Sequence, residues 1–252
     1  MIESRMPLIA HLEELRKRLI VCCVALVVGF SICYAFKEQL FLFVAKPLQK
    51  HLPEGSSFQY IGIAEAFVTY LKISLISGLF LAMPVILHQV WMFVAPGLYQ
   101  REKRYAFPFV LFSMIFFLGG AAFCYFVVFP FAFQFFMAFS GESLRAMPTT
   151  QQYLSFAWHM MLAFGLVFEM PIVFFFLGRM GLVSYKGLAR KRRYAIVIVF
   201  IAAAVLTPGP DVLSQLLLAG PLLVLFELSL QVVRLTGRKG EWEEEAEKTP
   251  AG

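Results

Sequence analysis

The sequence predicts an all-α integral membrane protein, and three observations lead to that class. Hydrophobic residues fill 60% of the 252 positions and charged residues only 15%, against about 45–50% and about 25% in a soluble domain. The apolar residues gather in runs long enough to cross a bilayer as helices. The basic residues gather between the runs, on alternate sides. This composition excludes a soluble globular domain, a disordered chain and a disulfide scaffold. Cys22, Cys23, Cys33 and Cys124 all sit inside apolar runs without C-x-x-C spacing, so they read as buried structural thiols. The net charge of +6 does not mark a nucleic-acid binder, because no basic stretch is interleaved with stacking aromatics on a polar background.

The first element is amphipathic. Leu8, Ile9, Leu12, Leu15 and Leu19 recur at helical spacing opposite Glu13, Glu14, Lys17 and Arg18, after a proline, Pro7, suited to a first turn. Residues 1–18 are therefore expected to lie along the cytoplasmic interface. Six apolar spans follow, at 19–36, 66–94, 106–129, 153–178, 194–206 and 212–233. The last two are parted by Thr207-Pro208-Gly209-Pro210-Asp211, through which no helix continues. Residues 1–235 are read as one six-span membrane domain, and 236–252 as a Glu-rich tail without fixed structure.

Charge sets the orientation. The N-terminal segment, the loops after spans two and four and the C-terminal tail hold seventeen Lys and Arg, whereas the opposite loops hold Lys37, Lys46, Lys50 and Arg145. Both termini are thus expected in the cytoplasm. The run after the N-terminal basic residues ends at Tyr34-Ala35-Phe36-Lys37-Glu38 with no small-x-small site, and reads as an uncleaved anchor. A bacterial cytoplasmic (inner) membrane is the simplest location. Span five has a reach of only about 20 Å at roughly 1.5 Å per residue, so a locally thinned bilayer is expected around short fifth and sixth spans.

An ionisable side chain inside a membrane marks a functional site by default. Glu169, in Phe164-Gly165-Leu166-Val167-Phe168-Glu169-Met170-Pro171, lies about 14 Å from the nearer end of span four. Pro171 is expected to bend the helix there, and Pro84, in a similar Met-Pro setting, to bend span two. Together they predict a concave bundle wall. Glu14 stands four residues before Arg18, the spacing of an intrahelical ion pair, and Glu102 sits in Gln100-Arg101-Glu102-Lys103-Arg104. Each reads either as a locally neutralised acid or as a carboxylate able to accept a guanidinium fork. His11, His51, His88 and His159 do not form a metal-binding pattern, and no nucleophile elbow or phosphate loop is present. No enzyme chemistry, metal or cofactor is expected.

Several motifs together resemble one family. His11-Leu12-Glu13-Glu14-Leu15-Arg16-Lys17-Arg18-Leu19 is similar to the N-terminal signature of the TatC family. Pro84-Val85-Ile86-Leu87-His88-Gln89-Val90-Trp91-Met92-Phe93-Val94-Ala95-Pro96-Gly97-Leu98-Tyr99 resembles its second span and first cytoplasmic loop. Phe126-Val127-Val128-Phe129-Pro130, the Glu169 segment, and Thr207-Pro208 through Asp211 to Gln215 follow in family order. The resemblance implies a receptor and core subunit of the twin-arginine translocase. Such a subunit binds twin-arginine signal peptides of folded cargo, self-associates, and organises the single-span proteins TatA and TatB for export driven by the proton-motive force.

The resemblance also implies residue roles. Glu14 and Glu102, with Arg16 and Phe93, would form the signal-peptide site. Glu169, Thr207 and Gln215 would meet partner helices within the membrane. Pro47 would shape a cap in the first outside loop. Asp211 either belongs to the polar region where spans five and six meet or caps the last helix through its carboxylate. The competing class is a proton-coupled small-solute transporter with Glu169 as proton carrier. That class requires a polar midplane site built from repeated halves, and the sequence has no inverted repeat.

Overall fold

A computed structural model describes residues 8–50, 58, 62–94, 106–138, 149–179, 181, 183–206 and 212–236. Nearly all of them are helical. The order is α1 (Leu8–Ala35), α2 (Lys37–Gln49), α3 (Glu65–Val94), α4 (Ala106–Phe123), a π-helical turn (Cys124–Val128) and α5 (Phe129–Ala138). Then come α6 (Thr150–Phe168), α7 (Met170–Arg179), α8 (Tyr185–Arg190), α9 (Arg192–Leu206) and α10 (Val212–Thr236). The described residues fall into two compact units. One lies within Met1–Lys46, Phe58–Ile115 and Thr149–Leu154, the other within Pro47–Ser57, Phe116–Pro148 and Ser155–Gly252.

Among the described residues, five stretches are long and apolar enough to cross a membrane: Leu12–Ala35, Glu65–Phe93, Val110–Ala138, Thr150–Arg179 and Leu218–Leu235. These carry the first four expected spans and the sixth. The fifth corresponds to α9, whose 15 residues reach about 22 Å, so its shortness is real. The sixth is not short: α10 has 25 residues, about 37 Å.

The amphipathic segment is also corrected. It is not a separate helix but the first turns of α1, which runs unbroken for 28 residues. No proline lies between Leu8 and Ala35, so backbone hydrogen bonding carries the polar segment straight into the apolar one. The first outside loop, too, contains a helix, α2, with Pro47 inside it.

In the first unit α1 packs antiparallel on α3. Gly29 and Gly78 make the contact possible, since a β-carbon on Gly29 would lie 2.5 Å from the Gly78 carbonyl oxygen. At the α2 end the hydroxyl of Tyr153 donates to the Val44 carbonyl, and Phe41, Phe58, Tyr70 and Tyr153 form a chain of ring contacts.

In the second unit the same device joins α4 to α6. A β-carbon on Gly120 would lie 2.5 Å from the Phe164 carbonyl oxygen, and one on Gly165 would lie 2.7 Å from the Phe117 ring. Phe117, Phe129 and Phe164 are fully enclosed, and the rings of Phe129, Phe133 and Phe156 meet in tilted and edge-on contacts. Of the expected buried thiols, Cys33 and Cys124 are buried, whereas Cys22 is half-buried and Cys23 exposed.

Prolines act unequally. The π turn closes with the Phe129 N–H donating to the Cys124 carbonyl, one residue before Pro130. In a regular helix the Pro130 ring would meet the carbonyl four residues back, and the wider turn relieves that clash. The expected interruption at Pro171 is present, because α6 ends at Phe168 and α7 begins at Met170. Helix α3, by contrast, is continuous through Pro84, so this proline does not interrupt its helix as Pro171 does. One missing bond in a 30-residue helix leaves enough of the ladder to hold the helix together.

Candidate functional site

The α1–α3 register positions the first group of residues. Gly29 faces Gly78, and Arg18 reaches Gln89. Eleven residues separate the two contacts on either helix, so the antiparallel register is constant between them. Continued by four residues, it sets Phe93 level with Glu14. Phe93 is half-buried.

Glu14 and Arg18 form the ion pair that their spacing predicts. Oε1 of Glu14 accepts from Nε of Arg18 at 3.1 Å and also from Nη2. Nη1 of the same guanidinium donates to Oε1 of Gln89 at 3.4 Å, a longer contact that ties α1 to α3. The other carboxylate oxygen, Oε2 of Glu14, is enclosed and has no hydrogen-bond partner among the described residues. Glu14 and Arg18 are thus a partly buried pair with 22% and 17% of their side chains exposed. Arg16 is exposed and, two positions on, does not share a helix face with Glu14. By that register Glu14 and Phe93 fall at one level of α1 and α3, and Arg16 lies on another side of α1. Glu102 lies outside the described residues.

Glu169 occupies the junction of α6 and α7. Its N–H donates to the Leu166 carbonyl at 3.2 Å, in a tightened turn, and its own carbonyl accepts from Ile172 at 3.0 Å and Val173 at 2.9 Å. Pro171 has no N–H to give to the residue four before it, and this local rearrangement places the carboxylate at the break. The side chain is 9% exposed, beside the aromatic packing of Phe123 on Phe164 and Phe168. Pro171 is buried.

The third group joins α9 to α10. Nε2 of Gln215 donates to the Phe200 carbonyl at 2.8 Å, so this side chain braces the two helices. Arg192 and Glu227 add an ion pair of 3.0 Å between them, each about half exposed. Thr207 and Asp211 lie outside the described residues. Pro47 is buried within α2, and Pro84 is half-buried within α3.

Sequence reasoning missed Gln89 and Glu227. The signal for Glu227 was present, an acid within Leu225-Phe226-Glu227-Leu228-Ser229. That for Gln89 was not, since its role depends on the register of two helices far apart in sequence. Among the described residues no group of three His, Cys, Asp or Glu is placed to hold a metal ion.

Comparison with known proteins supplies an identity for this arrangement. Residues 10–221 match the family model described as Sec-independent protein translocase protein (TatC). The Sec-independent protein translocase protein TatC of Desulforapulum autotrophicum is 49% identical over 243 residues, covering 96% of this chain and 90% of that one. The TatC of Escherichia coli (strain K12) is 41% identical over 244 residues, covering 97% and 94%. A crystal structure of the twin arginine translocase receptor TatC superposes with a TM-score of 0.82 at 40% identity, covering 90% of this chain and all of that one.

Proposed function

Because the chain belongs to the TatC family, and so is a Sec-independent protein translocase component in a membrane, we propose that it is the receptor subunit that binds twin-arginine signal peptides. The observation that carries this reading is the Glu14 carboxylate. It is held by one arginine, has one oxygen to spare, and stands level with Phe93. A guanidinium from a signal peptide, moving Arg18 aside to open the enclosed oxygen, binds the carboxylate through charge-assisted hydrogen bonds. Glu102 receives the second guanidinium, Arg16 borders the site, and Phe93 packs against the peptide.

In this reading six helices cross the inner membrane, α9 being the short fifth, with both termini in the cytoplasm. The crystal structure's description as a receptor supports the role, and the basic residues at the α8–α9 corner, Lys186, Arg190, Lys191 and Arg193, support the orientation. The single-span partners TatA and TatB assemble along α9 and near Glu169. Tyr194, Val197, Ile198, Ile201 and Val205 of α9 are exposed apolar residues at helical spacing, a face open to another helix or to lipid. Thr207 and Asp211 lie where α9 and α10 approach each other in sequence, and Pro47 stiffens the outer cap. The chain performs no bond-making chemistry; cargo crosses with energy from the proton-motive force.

Photocrosslinking tests the reading. A labelled twin-arginine signal peptide and its twin-lysine counterpart are presented to the protein in membranes with its partners, beside Glu14→Lys and Glu102→Lys. The receptor reading expects arginine-dependent crosslinks that both charge reversals remove. Equal crosslinking of the two peptides to the unmodified protein would refute it and favour the small-solute transporter with Glu169 as proton carrier, to be assayed in vesicles holding this protein alone.

A further inference from the structure

We infer that Arg18 is an internal competitor for the signal-peptide site, and that Arg18 and Gln89 together set the preference of Glu14 for arginine over lysine. The inference rests on the receptor reading of Glu14. Arg18 places two of its nitrogens, Nε and Nη2, on a single oxygen of Glu14, leaving Oε2 enclosed and without a partner among the described residues. The third nitrogen, Nη1, already points at Gln89 Oε1. The carboxylate is therefore half-occupied by a guanidinium belonging to the chain itself.

An incoming ligand meets two conditions in this geometry. It must open the enclosed spare oxygen, and to gain a second hydrogen bond it must displace Arg18 from Oε1. A guanidinium satisfies both, because its planar fork spans two carboxylate oxygens in parallel bonds. An ammonium is a compact, strongly hydrated point charge and cannot engage the two oxygens as a fork, so it does not compensate for the lost Arg18 contacts. Gln89 makes the exchange possible. Its carbonyl oxygen lies on the far side of the Arg18 guanidinium, on α3, and keeps an acceptor for Arg18 once Glu14 is taken. Gln89 is thus a positioning residue, since it acts through Arg18 and not on the peptide.

The test measures affinities of a labelled twin-arginine signal peptide and its twin-lysine counterpart for the full chain in membranes with its partners. The variants are Arg18→Gln, Arg18→Lys, Gln89→Leu and Lys17→Gln. Removing the competitor should tighten twin-lysine binding by about 2- to 5-fold, the scale of a solvent-screened ion pair, and pull the arginine-to-lysine affinity ratio towards one. Arg18→Lys keeps the charge and should lower the ratio as well, which separates fork competition from plain charge repulsion. Lys17→Gln removes a neighbouring exposed charge and should leave the ratio unchanged. Gln89→Leu should weaken twin-arginine binding by a few-fold.

An unchanged or larger ratio in both Arg18 variants would overturn the competitor role. So would weaker binding of both peptides, which would make Arg18 only a support for Glu14. An unmodified protein that does not distinguish the peptides would instead sink the receptor reading beneath this inference, so the two failures are told apart.

Discussion

Gly29 on α1 and Gly78 on α3 touch backbone to backbone: a β-carbon on Gly78 would lie 2.5 Å from the Phe30 nitrogen, and one on Gly29 would lie 2.5 Å from the Gly78 carbonyl oxygen. Both obstacles are backbone atoms, which cannot swing aside as a side chain can. Lipid tails are as apolar as the helix surfaces, so close backbone approach and packing hold membrane helices together.

Gly29→Ala or Gly78→Ala should therefore force α1 and α3 apart and lower stability by about 1–3 kcal/mol, the usual cost of overpacking. The thermal midpoint of the purified protein in detergent is the readout. Because the same contact sets the register of Glu14, Arg18, Gln89 and Phe93, signal-peptide affinity should fall as well. A stable variant with full affinity would show that the pairing tolerates a wider separation.

The α4–α6 contact gives an internal control. Gly120 and Gly165 have no room for a β-carbon, whereas Gly119, next in sequence, has nothing within 4 Å. Gly120→Ala and Gly165→Ala should each destabilise by about 1–3 kcal/mol. Gly119→Ala should be neutral or stabilising, up to about 1 kcal/mol from helix propensity. Equal midpoints for all three variants would contradict the packing account.

Arg192 and Glu227 should matter little to stability. Their side chains are 43% and 48% exposed, and exposed ion pairs contribute about 0–1 kcal/mol. A double-mutant cycle with Arg192→Gln and Glu227→Gln should return a coupling energy below about 1 kcal/mol. A larger coupling would mean that this pair is withdrawn from water in the assembled protein.

Glu169 should separate folding from assembly. Glu169→Gln keeps size and hydrogen-bonding capacity, so the protein should fold and retain partner crosslinks near this site. Glu169→Leu should keep the fold and weaken those crosslinks by about 3- to 15-fold, the value of one intramembrane polar contact of about 0.6–1.7 kcal/mol. Unchanged crosslinking in Glu169→Leu would remove this residue from the partner interface.

Much of this molecule is legible in the chain itself, for identifiable reasons. Spans are forced by the cost of unsatisfied backbone groups in hydrocarbon, so every apolar run of sufficient length had to be helical. The Glu14–Arg18 pair is a property of helical spacing, and appears as expected. The interruption beside Glu169 follows from the missing N–H of Pro171, again a local cause. Similar local settings had unequal outcomes: Pro171 interrupts its helix while Pro84 does not, and the amphipathic turns did not separate from α1. A proline's effect depends on what packs around it, and a polar turn continues a helix when nothing stops it.

Composition, spacing and charge order thus determined the class, the spans and the acids worth attention, because each depends on residues within a few turns of one another. The tertiary structure alone decided that Gly29 meets Gly78, that Arg18 reaches across to Gln89, and that Gln215 braces α9 to α10. Those contacts join residues distant in the chain, and their register is set by how closely two backbones approach. That distance depends on the whole packed surface and is not encoded by any single segment.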